Sequence, residues 1–195
     1  MSQQSGVAAV SSWAAVSRLA AANRIRNALN GKQGLAATAE AAAESFLETF
    51  AADTASVSLI HGDEYRSLVN VGVLFPGDSR FPDDEVYEVT YYPTASAALL
   101  KGEGYFSSVG VMGTLRESDK LLAELDRGSC MGVPLIYLRK TIGEVFVTRP
   151  HGDAVFGAAD LAVGMELTRQ LGFRIGPAFF KRLEREPEWW PSTAQ

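Results

Sequence analysis

The sequence stretch Met131-Gly132-Val133-Pro134-Leu135, a short turn, Ile142-Gly143-Glu144-Val145-Phe146-Val147 and then Phe156-Gly157-Ala158-Ala159-Asp160 decides the fold. It reads as a strand with an internal proline, a hairpin partner rich in β-branched residues, and the start of a helix. Pro134 cannot donate to a strand ladder, so it marks an edge or bulged position. Gly143 allows another backbone to approach closely. Gly157 at the N-cap and Asp160 three residues on approximate a capping box, and Phe156 with Leu161 has the spacing of a hydrophobic staple.

Upstream of this stretch, the chain begins with two helices. Residues 7–29 carry Val10, Trp13, Val16, Leu19, Ile25 and Leu29 at three- and four-residue steps, with Gly31 as the stop. A second helix is expected from about Gly34 to Phe50, with Leu35, Ala39, Ala42, Phe46, Leu47 and Phe50 on one face. Val57–Ile60, the turn His61-Gly62-Asp63-Glu64 and Tyr65–Val73 read as an antiparallel hairpin. Phe75–Glu88 holds Pro76, Gly77, Pro82 and five acids, and is read as a loop. Short helices are expected over Thr94–Lys101 and Glu117–Asp126, with a short strand over Tyr105–Val109 between them. Strands over 130–138 and 142–148 lead to a last helix from Ala158 to about Arg174. Gly176-Pro177 predicts a kink or break before further helical turns up to about Arg185, and Pro187–Pro191 reads as irregular.

This order describes an α+β domain in which an antiparallel sheet carries helices on its faces. The chain lacks GxGxxG and the P-loop pattern, so nothing supports a dinucleotide or triphosphate site. A net charge of −5 argues against nucleic acid as a partner. No apolar run approaches the roughly 18 residues that span a bilayer, and the N-terminus lacks a secretory signal, so the expected location is the cytoplasm. The single cysteine, Cys130, fits a reducing compartment and excludes a dithiol mechanism within one chain.

Over Gly34–Ile175 the sequence resembles a GAF domain. The resemblance rests on the proline strand Met131–Leu135, the hairpin partner Ile142–Val147 and the helix start Phe156–Asp160. The family more often has a hydroxyl residue where Gly157 stands. The resemblance implies a GAF-like, profilin-like antiparallel sheet of about six strands with helices on both faces. It further implies N- and C-terminal helices packed together on one face, and a small-molecule pocket on the other, roofed by residues 75–128. The implied division is an N-terminal helix over 1–33 serving as a dimerisation element with Trp13, a GAF-like domain over 34–186 and an irregular tail over 187–195.

Candidate ligand-binding residues are Phe75, Tyr91, Tyr92, Tyr105 and Cys130. Tyrosines offer a pocket both apolar wall and polar handle, although packing of roof on sheet explains the same residues. Cys130 is either a buried small hydrophobe or a thiol for redox sensing or chromophore attachment. Some GAF proteins reduce methionine sulfoxide with several cysteines, so here an external thiol would be required. His61 and His151 lie in turns without metal-binding spacing, and Asp83-Asp84-Glu85 lacks the spacing of a calcium loop. No GxSxG elbow occurs, and the family's cyclic-nucleotide pattern Asn-Lys-x-Phe-Asp-Glu is missing. Trp189-Trp190 serves either as an exposed anchor for a partner or as packing against the domain.

The leading expectation is a non-enzymatic small-molecule sensor, a homodimer that passes ligand occupancy to a protein partner, with the cofactor unknown and neither nucleic acid nor membrane involved. The alternative is a thiol- or haem-based redox sensor, or a methionine-sulfoxide-reductase-like enzyme using Cys130. A third is a scaffold whose pocket is filled by its own side chains. About 20 residues follow Ile175. That leaves little room for an output domain unless the chain is part of a longer one.

Overall fold

The structure, a computed structural model, describes residues 20–74, 77–82, 86–109 and 122–190. The proline strand and its partner form β5 (Ser129–Tyr137) and β6 (Lys140–Arg149). They are joined by Leu138-Arg139, whose φ values of 48° and 66° are both left-handed. Two such residues match the twist of a tight hairpin, which Asn-Gly adopts with less strain. Pro134 lies past the end of β4 (Tyr105–Ser108), which pairs only with Ser129–Gly132. There, among the described residues, β5 has a strand neighbour on one side only, and a bulge follows between Leu135 and Ile136.

The N-terminal hairpin forms as expected, with β1 (Thr54–His61) and β2 (Glu64–Gly72) joined through Gly62 and Asp63. The two hairpins meet at an antiparallel β1–β6 pair. The six strands run in the order β3-β2-β1-β6-β5-β4. Strand β3 (Val86–Glu88) lies inside the stretch read as loop. It pairs with Glu64–Arg66, and Tyr87 stacks on Tyr65 with ring centroids 5.2 Å apart. That long-range stacking holds three residues in a strand where local breakers argue against one.

One face of the sheet carries three of the helices. α1 covers residues 20–28, α2 is Leu35–Thr49 and α4, the last helix, is Ala158–Arg185. α2 buries Ala39, Ala42 and Ala43 beside Phe46, so small residues bring it close to the sheet. Ala21, Ile25 and Leu29 of the first helical region are buried in the same core. Trp13 and the rest of residues 1–19, with their proposed dimer role, lie outside the described residues, as do residues 117–121 of the helix expected before Gly128. The Gly157 N–H donates to the Asp160 carboxylate at 3.0 Å, and Phe156 and Leu161 join one cluster, as the capping pattern predicts.

Of the kink or break expected at Gly176-Pro177, the break does not occur, because α4 continues through Pro177 to Arg185. A side chain at Gly172 would strike the Ile136 carbonyl, and one at Gly176 the Tyr137 ring. Close backbone packing on β5 therefore keeps the helix continuous past the proline, a tertiary effect that local propensity does not include. Beyond α4, Pro187–Trp189 makes one 3₁₀ turn, and Trp190 folds back into the core instead of anchoring a partner. Its Nε1 donates to Glu64 at 2.9 Å, and the Arg182 guanidinium stands 3.9 Å from the Trp189 ring centre.

Candidate ligand cavity

The opposite face of the sheet carries α3 (Pro93–Leu100) and the 3₁₀ turn Val89–Tyr91. The Thr141 hydroxyl donates to the Leu99 carbonyl at 2.6 Å and ties α3 to β6. Strand alternation decides what faces this layer. One cross-strand row holds Asn70, Ser56, Phe146, Gly132 and Tyr105, and the next holds Ser67, Ser58, Glu144 and Pro134. Small side chains on β1 leave a hollow between the larger residues of the flanking strands. The result is a cavity of about 360 Å³, within the range of small-molecule sites.

Five of the six tyrosines line this cavity: Tyr65, Tyr87, Tyr91, Tyr92 and Tyr105. Gly132 is what admits the last of them, because a Cβ there would collide with the Tyr105 ring. Tyr91 is 66% exposed and stands at the mouth, edge-on to Tyr92 at 5.0 Å. The Tyr65 hydroxyl donates to Ser96 Oγ at 3.4 Å. Burial, and then the nearby Glu144 carboxylate, pushes the Tyr65 and Tyr105 phenols above their ordinary range. Burial pushes Tyr92 up to about 12, with Tyr91 and Glu124 adding to it. All three phenols are neutral hydrogen-bonding groups at physiological pH.

Among the described residues, Glu144 is the one acidic residue in the buried wall. Its Oε2 is buried without a hydrogen-bond partner, and burial raises the carboxyl to about 7. The only other carboxylate of the lining is Asp78, and no Lys, Arg or His belongs to it among the described residues.

Of the residues singled out from sequence, Tyr91, Tyr92 and Tyr105 therefore come together around one cavity. Phe75 lies outside the described residues. Cys130 is fully buried in β5, paired with Ser107 and Thr148, and is not part of the lining. Both histidines are exposed and away from the cavity; His151 Nε2 is 3.8 Å from Asp126, and His61 packs edge-on to Phe179 and Trp190. Among the described residues no three metal-ligating side chains cluster, and no helix is long and apolar enough to cross a membrane. Sequence reasoning missed Tyr65, Tyr87 and Glu144. A lone acid between Gly143 and Val145 in an apolar strand is the signal that marks the last of these.

The curled six-stranded sheet with helices on both faces, paired N- and C-terminal helical regions and a cavity opposite them are the features of a GAF domain, and the chain has the GAF-domain fold. It is similar to the GAF domain of a phosphoenolpyruvate-protein phosphotransferase from Coxiella burnetii, with 16% identity over 86% of this chain and 97% of that one and a TM-score of 0.69. It also resembles the phycocyanobilin-bound GAF domain of a cyanobacterial phytochrome, with 12% identity over 84% and 96% of the two chains and a TM-score of 0.67. A GAF domain from an Acinetobacter phosphoenolpyruvate-protein phosphotransferase matches at 17% identity over 84% and 96%, with a TM-score of 0.65. No family model matches the sequence, and no curated protein sequence matches it.

Proposed function

We propose that this chain is a non-enzymatic, cytoplasmic sensory domain that holds a small molecule in the tyrosine-lined cavity, with Tyr91, Tyr92 and Tyr105 among its contacts. The observation that carries this reading is the cavity itself: an apolar, aromatic wall with a few polar groups and one buried carboxyl without a hydrogen bond on Oε2. The similar phytochrome domain holds phycocyanobilin, which supports a ligand-binding role for this fold. Occupancy would act by differential binding to two arrangements of the layer over the sheet. The same proposal makes the chain a homodimer that signals to another protein. The outer side of α4, where Phe173 is 65% and Phe180 38% exposed, offers an apolar surface for such contact.

The thiol-based alternative finds less support. A fully buried Cys130 is withdrawn from solvent oxidants and from a bound molecule in the cavity. The test is native mass spectrometry of the purified chain, followed by thermal melts with any molecule released. A bound ligand at about 100 times its Kd adds about 2.7 kcal/mol of stability. A chain that carries no ligand and is stabilised by none of a broad metabolite set is a scaffold, and the proposal fails.

A further inference from the structure

The charge of the cavity wall restricts what can occupy it. Two carboxylates, Glu144 and Asp78, line it, and among the described residues no basic side chain does. Glu144 projects from the middle of the sheet, and its buried Oε2 accepts no hydrogen bond. Among the described residues, the other ionisable groups of the lining are the Tyr65 phenol from β2, the Tyr87 phenol from β3, the Tyr105 phenol from β4, the Tyr91 and Tyr92 phenols and Asp78, with the Cys130 thiol of β5 near Tyr105 but outside the lining. None of them is a cation.

Buried polar atoms are ordinarily satisfied, and a buried carboxylate needs a donor or a counter-charge. The surrounding tyrosines point to the same occupant, because the faces of aromatic rings attract organic cations. Tyr65 and Tyr87 form a stacked pair on one side, while Tyr91 and Tyr92 form an edge-on pair at the mouth. Among the described residues, an anionic ligand would instead meet the Glu144 carboxylate with no basic side chain in the lining.

We propose that the cavity takes a small organic cation with N–H donors, a protonated primary or secondary amine on an apolar body, whose nitrogen donates to Glu144 while its body lies among the tyrosines. This rests on the ligand-binding reading of the same cavity and narrows it to a chemical class. A quaternary ammonium ion satisfies the rings but leaves Oε2 without a donor, so it binds more weakly than the matching amine.

The test uses three probes with one body and different heads: phenethylamine, 2-phenylethanol and 3-phenylpropionate. Each is titrated into the full chain at pH 8 by calorimetry, beside cyclohexylamine and phenyltrimethylammonium. The amines should bind, and the alcohol and acid should bind at least about tenfold more weakly, the scale of one charge-assisted hydrogen bond. Glu144→Gln should weaken amine binding about tenfold or more and leave the alcohol within about twofold. Should that variant not fold, Tyr91→Leu at the exposed mouth reads the ring contribution, with a loss of about two- to fivefold for the amine alone.

Acid binding as tight as amine binding, or amine affinity unchanged in Glu144→Gln or, in its place, in Tyr91→Leu, overturns the proposal. If only the neutral or acidic probes bind, the cation assignment falls and the cavity reading stands. If no probe binds and no metabolite accompanies the chain, both fall.

Discussion

Replacing Glu144 with glutamine isolates the cost of holding a carboxylate in the cavity wall. The folded carboxyl titrates at about 7 against an ordinary value of 4.5, and burial is the cause. The native chain therefore holds a proton that the unfolded chain releases across that interval, so stability falls as pH rises from about 4.5 to about 7 and then levels off. At about 1.36 kcal/mol per pH unit, the full penalty above pH 7 is about 3 kcal/mol. At pH 5 it is below about 1 kcal/mol by the same linkage. Glutamine carries no charge to desolvate and stands in for the protonated acid. Glu144→Gln should therefore be more stable than the parent by about 3 kcal/mol at pH 8, or roughly 6–12 °C in Tm for a domain of this size, with most of that gain gone at pH 5. Urea unfolding of both chains at the two pH values measures it. Equal stability at pH 8, or a gain of the same size at both pH values, would refute the assignment of a buried carboxyl whose Oε2 has no hydrogen-bond partner.

Other positions give independent checks. Gly132→Ala places a methyl group against the Tyr105 ring and should cost about 1–3 kcal/mol in denaturant unfolding. Gly157→Ser has open space around its Cβ and an extended backbone at φ −143°, so the added cap should raise stability by a few tenths of a kcal/mol. Trp190→Phe removes the 2.9 Å hydrogen bond to Glu64 and should lower stability by about 1–3 kcal/mol, read from the urea midpoint. Cys130, fully buried, should react with a thiol reagent only as fast as the domain opens and at once in denaturant.

Where local chemistry and tertiary packing agree, the sequence predicts the structure well. The residues of β1, β2, β5 and β6 alternate or run apolar between turn signals, and α2 shows the expected face. Disagreement arises where distant residues decide. Pro177 predicts a kink or break on local grounds, but the helix continues, with Gly172 and Gly176 setting its backbone against Ile136 and Tyr137. Val86–Glu88 looks like loop among prolines and acids, yet the Tyr65–Tyr87 stack holds it as a strand. Trp189-Trp190 offers two readings in the sequence, and the choice between them depends on Glu64, Arg66 and His61 at the β1–β2 turn, far away in the chain.

The cavity was legible in part, and Glu144 shows where reading stops. Tyr91, Tyr92 and Tyr105 stand in irregular segments where aromatic side chains invite attention, whereas Glu144 sits inside the strand that identifies the fold and so reads as scaffold. Alternation alone places Glu144 and Phe146 on the face opposite Val145 and Val147. It does not say which face is covered. An acid on a solvated face needs no explanation, so the same residue has opposite meanings depending on what lies over the sheet. α3 and the tyrosines supply that cover, and they are 39–79 residues away in the chain, from Tyr65 to Tyr105. Only the register joining β1 to both β2 and β6 brings Tyr65 and Glu144 into one wall. The chemistry of this site is thus a property of strand pairing.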